Sequence, residues 1–208
     1  MPRPKMIDRT AILRTALEIA DDDGVTGVSM HAVARRLGVT PMALYRHVGN
    51  KADLLDGIVE RLLAEIMQGV PPPGETAGLQ GPEGWVDALM AMARGARAVA
   101  RRHPAAFALL LSRPAATAGA RQVRAYVHDL LRRAGVGAEH VPRLERILTT
   151  AALGMAAGGA SERFAHHPPG VLDDDFRALA TFVTAGIEPF RSRPAAEPDD
   201  ASDRGRDD

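Results

Sequence analysis

Residues 29–59, SMHAVARRLGVTPMALYRHVGNKADLLDGIV, decide the fold of this 208-residue chain. Ser29 stands where a helix begins, Gly38 where one ends, and Thr40 precedes a proline at the first position of another. Serine and threonine are favoured N-caps, glycine ends helices, and proline is tolerated at a helix start. The stretch therefore predicts two short helices joined by a tight turn, followed by a longer helix that Asn50 caps.

The spacing of the two short helices is that of a helix-turn-helix over 29–48, whose second helix enters the DNA major groove. The charge pattern supports this interpretation, because no Asp or Glu occurs from Gly24 to Ala52. A carboxylate in this window would face DNA phosphates at close range. The same window holds six cationic or imidazole side chains: His31, Arg35, Arg36, Arg46, His47 and Lys51.

The second short helix has an inward stripe, Leu44 and Val48, and an outward face that can contact DNA. The outward residues are Thr40, Met42, Ala43, Tyr45, Arg46 and His47. Lys51 begins the next helix, where the helix dipole disfavours a cation unless a phosphate is bound nearby. The alternative is that the arginines only solvate a helical face. The combination of caps, an acid-free window and clustered Tyr, His and Lys favours DNA binding.

Outside this stretch the sequence predicts an all-α protein. Apolar residues make up 46% of the chain and aromatic residues only 4%, so strand-forming side chains are scarce. Helical periodicity and its interruptions predict further helices at 8–23, 51–67, 84–103, 104–112, 116–134, 140–166 and 173–190. A run rich in proline and glycine at 71–84 predicts a linker. We therefore expect an N-terminal domain at 7–67, a larger helical domain at 84–190 and a disordered acidic tail at 192–208.

Several functional classes are disfavoured by what the sequence lacks. There is no cysteine, so disulfides and thiolate sites are excluded. No signal peptide or membrane-spanning run is found, which predicts a soluble cytoplasmic protein without a membrane partner. No phosphate loop, dinucleotide fingerprint, nucleophile elbow or HExxH motif occurs, which disfavours an enzyme. His166 and His167, with His128 and His140, lack metal-ligand spacing, so we expect neither metal nor cofactor.

The stretch at 29–59 closely resembles the N-terminal DNA-binding domain of the TetR family of transcriptional regulators, and YRHVGNKADLLD resembles the tetracycline-repressor branch. The resemblance covers about residues 7–67. It implies that Ser29 and Met30 lie near the DNA backbone and that His31 contacts a base or a phosphate. It further implies that the reading end of the recognition helix consists of Thr40, Pro41, Met42 and Ala43.

The same resemblance assigns phosphate contacts to Tyr45, His47 and Lys51. The reading end has no Gln, Asn or Arg before Arg46, so it has no side chain suited to a bidentate hydrogen bond with a base. Apolar contacts to thymine methyl groups, together with the Thr40 hydroxyl, must then carry more of the base recognition.

The second half contains GMAAGGAS at 154–161, where Gly154 and Gly158 share one helix face. Such glycines either let a partner helix approach or make room in the subunit's own core. The family resemblance implies a homodimer in which the last two helices of each subunit form a four-helix bundle. Our candidates for that interface are Leu148, Leu153, Gly154, Gly158, Phe176, Leu179, Phe182 and Val183.

Apolar residues at helical spacing in the second half could line a pocket for an apolar effector, although each could also be plain core. The pocket candidates are Trp85, Leu89, Met92, Phe107, Leu110, Tyr126 and Met155. Possible polar anchors, each otherwise a surface residue, are Arg94, Arg97, His103, His128 and Glu162. Together these features predict a homodimeric regulator that binds operator DNA and a small-molecule effector. We expect a repressor; an activator, a helical scaffold and an all-α enzyme are the alternatives.

Overall fold

The chain is all-α, as the sequence predicts, in the computed structural model, which describes residues 7–72, 84–161 and 170–192. These ranges contain α-helices and a 3-10 helix, Glu188–Phe190, and their only bridge pairing is an isolated one between Val136 and Arg191. The α-helices are α1 Arg9–Gly27, α2 Met30–Leu37, α3 Pro41–Leu44, α4 Lys51–Met67, α5 Gly84–Arg102, α6 Pro104–Ser112, α7 Ala118–Arg133, α8 Val141–Ala160 and α9 Val171–Ile187. None of the described helices is long and apolar enough to span a bilayer.

Local signals in the sequence place most helix ends. Asp8 Oδ1 accepts a hydrogen bond from the Ala11 N–H at 2.7 Å and so caps α1. Gly24 has a φ of 75° and interrupts α1 where the sequence predicts its end, although a further turn continues to Gly27. The recognition helix α3 is shorter than expected, because Tyr45, Arg46 and the following residue form a turn.

The apolar core is continuous between the two halves of the chain. One cluster of buried residues joins Ile12 of α1 and Leu54 and Ile58 of α4 to Phe107 of α6 and Ala156 of α8. Helix α4 therefore packs both within the N-terminal bundle and against the second half. A shift of α4 would therefore change the packing of both the N-terminal helices and the second half.

A second apolar cluster lies in the C-terminal half. Trp85 and Leu89 of α5 pack with Leu130 of α7 and with Val183 and Ile187 of α9. Helix α5 contacts α4, α6, α7, α8 and α9, so it is the central helix of this half. Several predictions lie outside the described residues, namely most of the linker at 71–84, Glu162, the pair His166–His167 and the tail from residue 193.

Candidate nucleic-acid interface and effector cavity

The turn between α2 and α3 is built by Gly38. The Ser29 hydroxyl accepts a hydrogen bond from the Ala32 N–H at 3.1 Å and starts α2. Gly38 ends the helix in the left-handed region, at φ 70° and ψ 35°, which is accessible to glycine at little cost. The Val39 N–H then donates to the Ala34 carbonyl at 3.0 Å, closing the turn. This geometry sets the angle at which α3 leaves α2.

Two buried anchors hold α3 and the turn that follows it. Leu44 is fully buried and Val48 nearly so, which confirms the predicted inward stripe. The backbone N–H groups of His47 and Val48 both donate to the Leu44 carbonyl, at 2.8 and 3.0 Å. Thr40 occupies the N-cap position, but its hydroxyl makes no capping hydrogen bond. The hydroxyl is therefore available to a base edge.

The predicted DNA-contacting residues mostly lie on one exposed face. Met42 is 74% exposed and Tyr45 50% exposed, which is unusual for large apolar side chains. The other exposed members are His31, Thr40, Arg46, His47 and Lys51, while Ser29, Pro41 and Ala43 are partly exposed. Met30 differs from the expectation, since its side chain is buried in the core and can offer DNA only its backbone N–H.

The start of α4 explains where the acid-free window ends. Asn50 Oδ1 accepts a hydrogen bond from the Asp53 N–H at 3.1 Å, and Asp53 Oδ2 accepts one from the Gly49 N–H at 2.9 Å. The first acid after the window therefore caps the helix. The first N–H groups of α4, beside Lys51, have no partner within the helix. This arrangement suits a bound phosphate.

The cationic patch is smaller than the sequence indicates. Arg36 Nη1 donates to Asp22 Oδ2 at 2.7 Å, and this hydrogen bond raises the pKa of the Arg36 guanidinium above its ordinary value. Asp22 comes from α1, so inspection of the window alone could not find it. Arg35, Arg46 and Lys51 form no ion pair with any described residue. No described carboxylate therefore neutralises these three cations.

A cavity of about 90 Å³ lies between α4 and the helices α5, α7, α8 and α9 of the second half. Its walls are almost entirely apolar, and among the described residues that line it Thr149 is the only polar one. The lining residues are Leu63, Ile66, Leu89, Met90, Met92, Ala93, Ala96, Val123, Val127, Leu148, Thr149, Ala152, Leu153, Leu179 and Val183. Two of them, Leu63 and Ile66, belong to the helix that begins at Lys51. Neither residue is among the predicted pocket residues.

The predicted pocket residues are divided between the cavity and the core. Leu89 and Met92 line the cavity, whereas Tyr126 lines an adjoining groove between α4 and α7. Phe107 is 1% exposed and packs in the core shared with α1. Trp85, Leu110 and Met155 do not line the cavity either. Among the suggested polar anchors, Arg94, Arg97, His103 and His128 are likewise absent from its walls.

The predicted dimer residues fall into three groups: some line the cavity, some are buried and some are exposed. Leu148, Leu153, Leu179 and Val183 line the cavity of their own subunit. Gly158 and Phe176 are buried, and Arg97 lies over the Phe176 ring at 5.9 Å. Phe182 is 75% exposed, and a Cβ on Gly154 would meet nothing within 4 Å. Ile147 on α8, which was not predicted, is 55% exposed.

Polar contacts join the cavity-bearing half to the helix-turn-helix half. His103, at the start of α6, places Nδ1 2.7 Å from Asp21 Oδ2 of α1 and Nε2 3.5 Å from Glu65 Oε2 of α4. Arg113, just after α6, pairs with Asp56 of α4 at 2.7 Å. These residues are far apart in sequence, so the sequence gave no signal for their pairing.

The fold and the exposed face of α3 define a helix-turn-helix protein whose N-terminal helices pack against a larger helical body. Residues 12–58 match the family described as "Bacterial regulatory proteins, tetR family". A curated relative, the HTH-type transcriptional repressor DrrR1 of Streptomyces coeruleorubidus, is 32% identical over 176 residues, which are 84% of this chain and 62% of DrrR1. Over residues 12–58 the chain is therefore similar to the regulators of the TetR family.

Two further likenesses were found, one in sequence and one in fold. The class C tetracycline repressor of Escherichia coli is 46% identical over 57 residues, or 27% of this chain and 26% of that repressor. The crystal structure of the TetR family protein ActR of Streptomyces coelicolor, in complex with (S)-DNPA, has a TM-score of 0.68 at 23% identity. That match covers 87% of this chain and 96% of ActR, and it shows that the fold extends over both halves. The chain spans about three-fifths of DrrR1 and a quarter of the tetracycline repressor.

Proposed function

We propose that the chain is a ligand-responsive, sequence-specific DNA-binding transcriptional regulator, and more specifically a repressor that a small molecule releases from its operator. The observation that carries the proposal is the exposed face of α3, where Met42, Tyr45, Arg46 and Lys51 stand clear of the core without ion pairs to the described residues. The names of DrrR1 and of the tetracycline repressor support repression.

The effector would bind in the apolar cavity and act on DNA through α4. Leu63 and Ile66 belong to the cavity wall, and Lys51 begins the same helix. Displacement of α4 would change the separation of the two recognition helices in a homodimer, whose half-sites must lie about 34–36 Å apart or a multiple of that distance. An effector can shift this equilibrium only through different affinities for the two arrangements. The ActR complex with (S)-DNPA offers a precedent for a ligand in a protein of this fold.

The partners follow from this mechanism. They are double-stranded operator DNA, a small-molecule effector and a second copy of the chain. Because the target is chromosomal DNA in a bacterium, we place the protein in the cytoplasm. The first test is a titration of the purified protein against its own upstream DNA at two salt concentrations. A selective complex of two subunits per site, weakened by salt, is expected; no binding by folded protein at low salt contradicts the proposal.

The Lys51→Ala substitution should weaken binding to all DNA sequences and lower the magnitude of the log-affinity against log-salt slope by about one. The reason is that each phosphate contact releases roughly one counterion when it forms. The slope is measured by fluorescence anisotropy with operator and with unrelated duplex. Arg132→Ala, at an exposed arginine on α7, is the matched control and should leave the slope unchanged. An unchanged slope for Lys51→Ala removes this lysine from the phosphate contacts.

The Thr40→Ala substitution should change sequence preference and leave salt dependence nearly intact. The Thr40 hydroxyl is not used as a cap, so its removal costs little stability. Selection from a randomised operator library should show relaxed preference at one position, corresponding to about 0.5–1.5 kcal/mol of lost discrimination, the contribution of one hydrogen bond. The control is Thr10→Ala, at an exposed threonine of α1. An identical preference for Thr40→Ala and the unaltered protein would exclude base contact by Thr40.

A further inference from the structure

Met42 is the one exposed methionine in the part of the chain that the structure describes. It is the second residue of α3, and 74% of its surface is accessible. The other described methionines are buried or partly buried, namely Met30, Met67, Met90, Met92 and Met155. The chain contains no cysteine, so no thiol competes for an oxidant. Among the described residues, Met42 therefore presents the sulfur that an oxidant in solution reaches most easily.

The thioether of methionine reacts with a hydroperoxide at its sulfur atom. An S–O bond forms as the O–O bond of the peroxide breaks, so the sulfur loses two electrons and the peroxide gains them. With hydrogen peroxide, the leaving oxygen takes up the proton of the transferred one and departs as water. The product is a polar sulfoxide, which methionine sulfoxide reductases return to the thioether. Because a thioether has no ionisable proton, accessibility decides which methionine reacts first.

The sulfoxide would stand at the reading end of α3. Thr40, whose hydroxyl makes no capping hydrogen bond, and the exposed Tyr45 belong to the same face. Leu44 and Val48 anchor α3 in the core, so the fold does not depend on the Met42 side chain. In the free protein, water hydrates the sulfoxide oxygen. Against DNA that oxygen loses its water and meets thymine methyl groups, which offer it no hydrogen bond.

Oxidation of Met42 would act on base recognition and leave phosphate binding intact. Arg46 and Lys51 are the exposed cations at this end of the domain, and neither changes when the sulfur gains an oxygen. The sulfoxide is uncharged, so the number of counterions released on binding stays the same. Affinity for the operator should therefore fall, while affinity for unrelated duplex should stay nearly constant.

We infer that Met42 is an oxidant-sensitive modification site, at which a hydroperoxide converts the thioether to a sulfoxide and releases the protein from its operator. The inference rests on the proposed function, because it requires α3 to read bases. It gives the protein a second route of release that does not involve the effector cavity. Bound operator covers Met42, so operator DNA should slow the oxidation of this residue.

The first measurement is the rate of oxidation of each methionine in hydrogen peroxide, followed by mass spectrometry of tryptic peptides. Trypsin isolates Met42 in residues 37–46, LGVTPMALYR, and Met30 in residues 15–35. Met42 should be oxidised about tenfold faster than Met30 or more, in line with their exposures of 74% and 6%. Operator DNA should slow the oxidation of Met42. Unrelated duplex, at a salt concentration where it does not bind, should not.

The second measurement is the operator affinity of the oxidised protein. It should fall by about tenfold or more, since one unpaired buried polar group in each recognition helix is enough for that loss. Urea unfolding should be unchanged by the treatment. Treatment with methionine sulfoxide reductase should restore the affinity. The loss and the recovery should both follow the sulfoxide content of residues 37–46, a comparison that needs no variant.

Two variants assign the effect to Met42. Met42→Leu cannot be oxidised at this position, so its own operator affinity, whatever its value, should be the same before and after peroxide. Met155→Leu is the matched control, because it removes a partly buried methionine of α8. It should lose operator affinity on oxidation as the unaltered protein does.

The inference is overturned if the oxidised protein binds operator as tightly as the untreated protein, or if Met42→Leu loses affinity to the same extent. It is also overturned if the loss does not follow the sulfoxide content of residues 37–46. If the untreated protein binds no operator, the proposed DNA binding fails and this inference fails with it. Operator binding that peroxide leaves intact contradicts the inference alone.

Discussion

Phe182→Glu should convert the proposed dimer into monomers and lower operator affinity by about a hundredfold or more. Phe182 lies on α9 and is 75% exposed, and Ile147 on α8 is 55% exposed. Large apolar side chains at such exposure mark surfaces that a partner covers. A glutamate buried in a helical bundle without a counter-charge would cost several kcal/mol in each subunit. Loss of the dimer removes simultaneous binding to two half-sites, which typically contributes 10²–10⁴ in affinity.

The measurement for Phe182→Glu is sedimentation equilibrium, followed by titration with operator DNA. Leu111→Glu is the matched control, because Leu111 is 51% exposed but belongs to α6. It should leave both the dimer and operator affinity unchanged. A folded Phe182→Glu protein that remains dimeric would show that α9 does not form the interface. If the variant is monomeric but binds operator as tightly as the unaltered protein, the paired half-site mechanism is contradicted.

The helices of this chain were predictable because their ends are determined locally. Ser29, Gly38 and Asn50 act within three or four residues of their own positions, and the structure shows their capping roles. The recognition helix was predicted too long. The prediction relied on the spacing of the buried residues Leu44 and Val48, and a turn after Leu44 buries Val48 as well as a continued helix would. The spacing of apolar residues predicts which residues are buried, but it does not determine whether the backbone there is a helix or a turn.

Partners of a buried or charged residue are set by packing between helices, and the sequence does not reveal them. Leu153 and Val183 belong to apolar stripes, but a stripe does not say whether it faces a second subunit or a cavity. The sequence predicts Arg36 as part of a basic patch, but in the structure Arg36 is paired with Asp22 of α1. Leu63 of α4 was not predicted to line a pocket, because its contact with the cavity depends on how α4 packs against the second half.

Gly95→Ala should destabilise the protein and disturb the connection between the cavity and the helix-turn-helix half. A Cβ at Gly95 of α5 would lie 2.4 Å from the backbone carbonyl oxygen of Ile66 in α4. A backbone atom cannot rotate away as a side chain can, so α4 and α5 must separate. The strain of overpacking is typically about 1–3 kcal/mol, against a gain of about 1 kcal/mol in helix propensity. We expect a net loss of stability and a lower operator affinity, because the displaced α4 carries Lys51.

Urea unfolding and operator titration measure the two effects of Gly95→Ala. The control is Gly69→Ala, where a Cβ would meet nothing within 4 Å, and it should change neither quantity appreciably. Gly57→Ala gives an intermediate case, since its Cβ would lie 2.3 Å from Leu13 Cδ2, at the end of a side chain that can rotate. The order of destabilisation should therefore be Gly95, then Gly57, then Gly69. If Gly95→Ala were as stable as the unaltered protein, α4 could move relative to α5 at little cost, and a ligand between them would have no rigid contact through which to act on DNA.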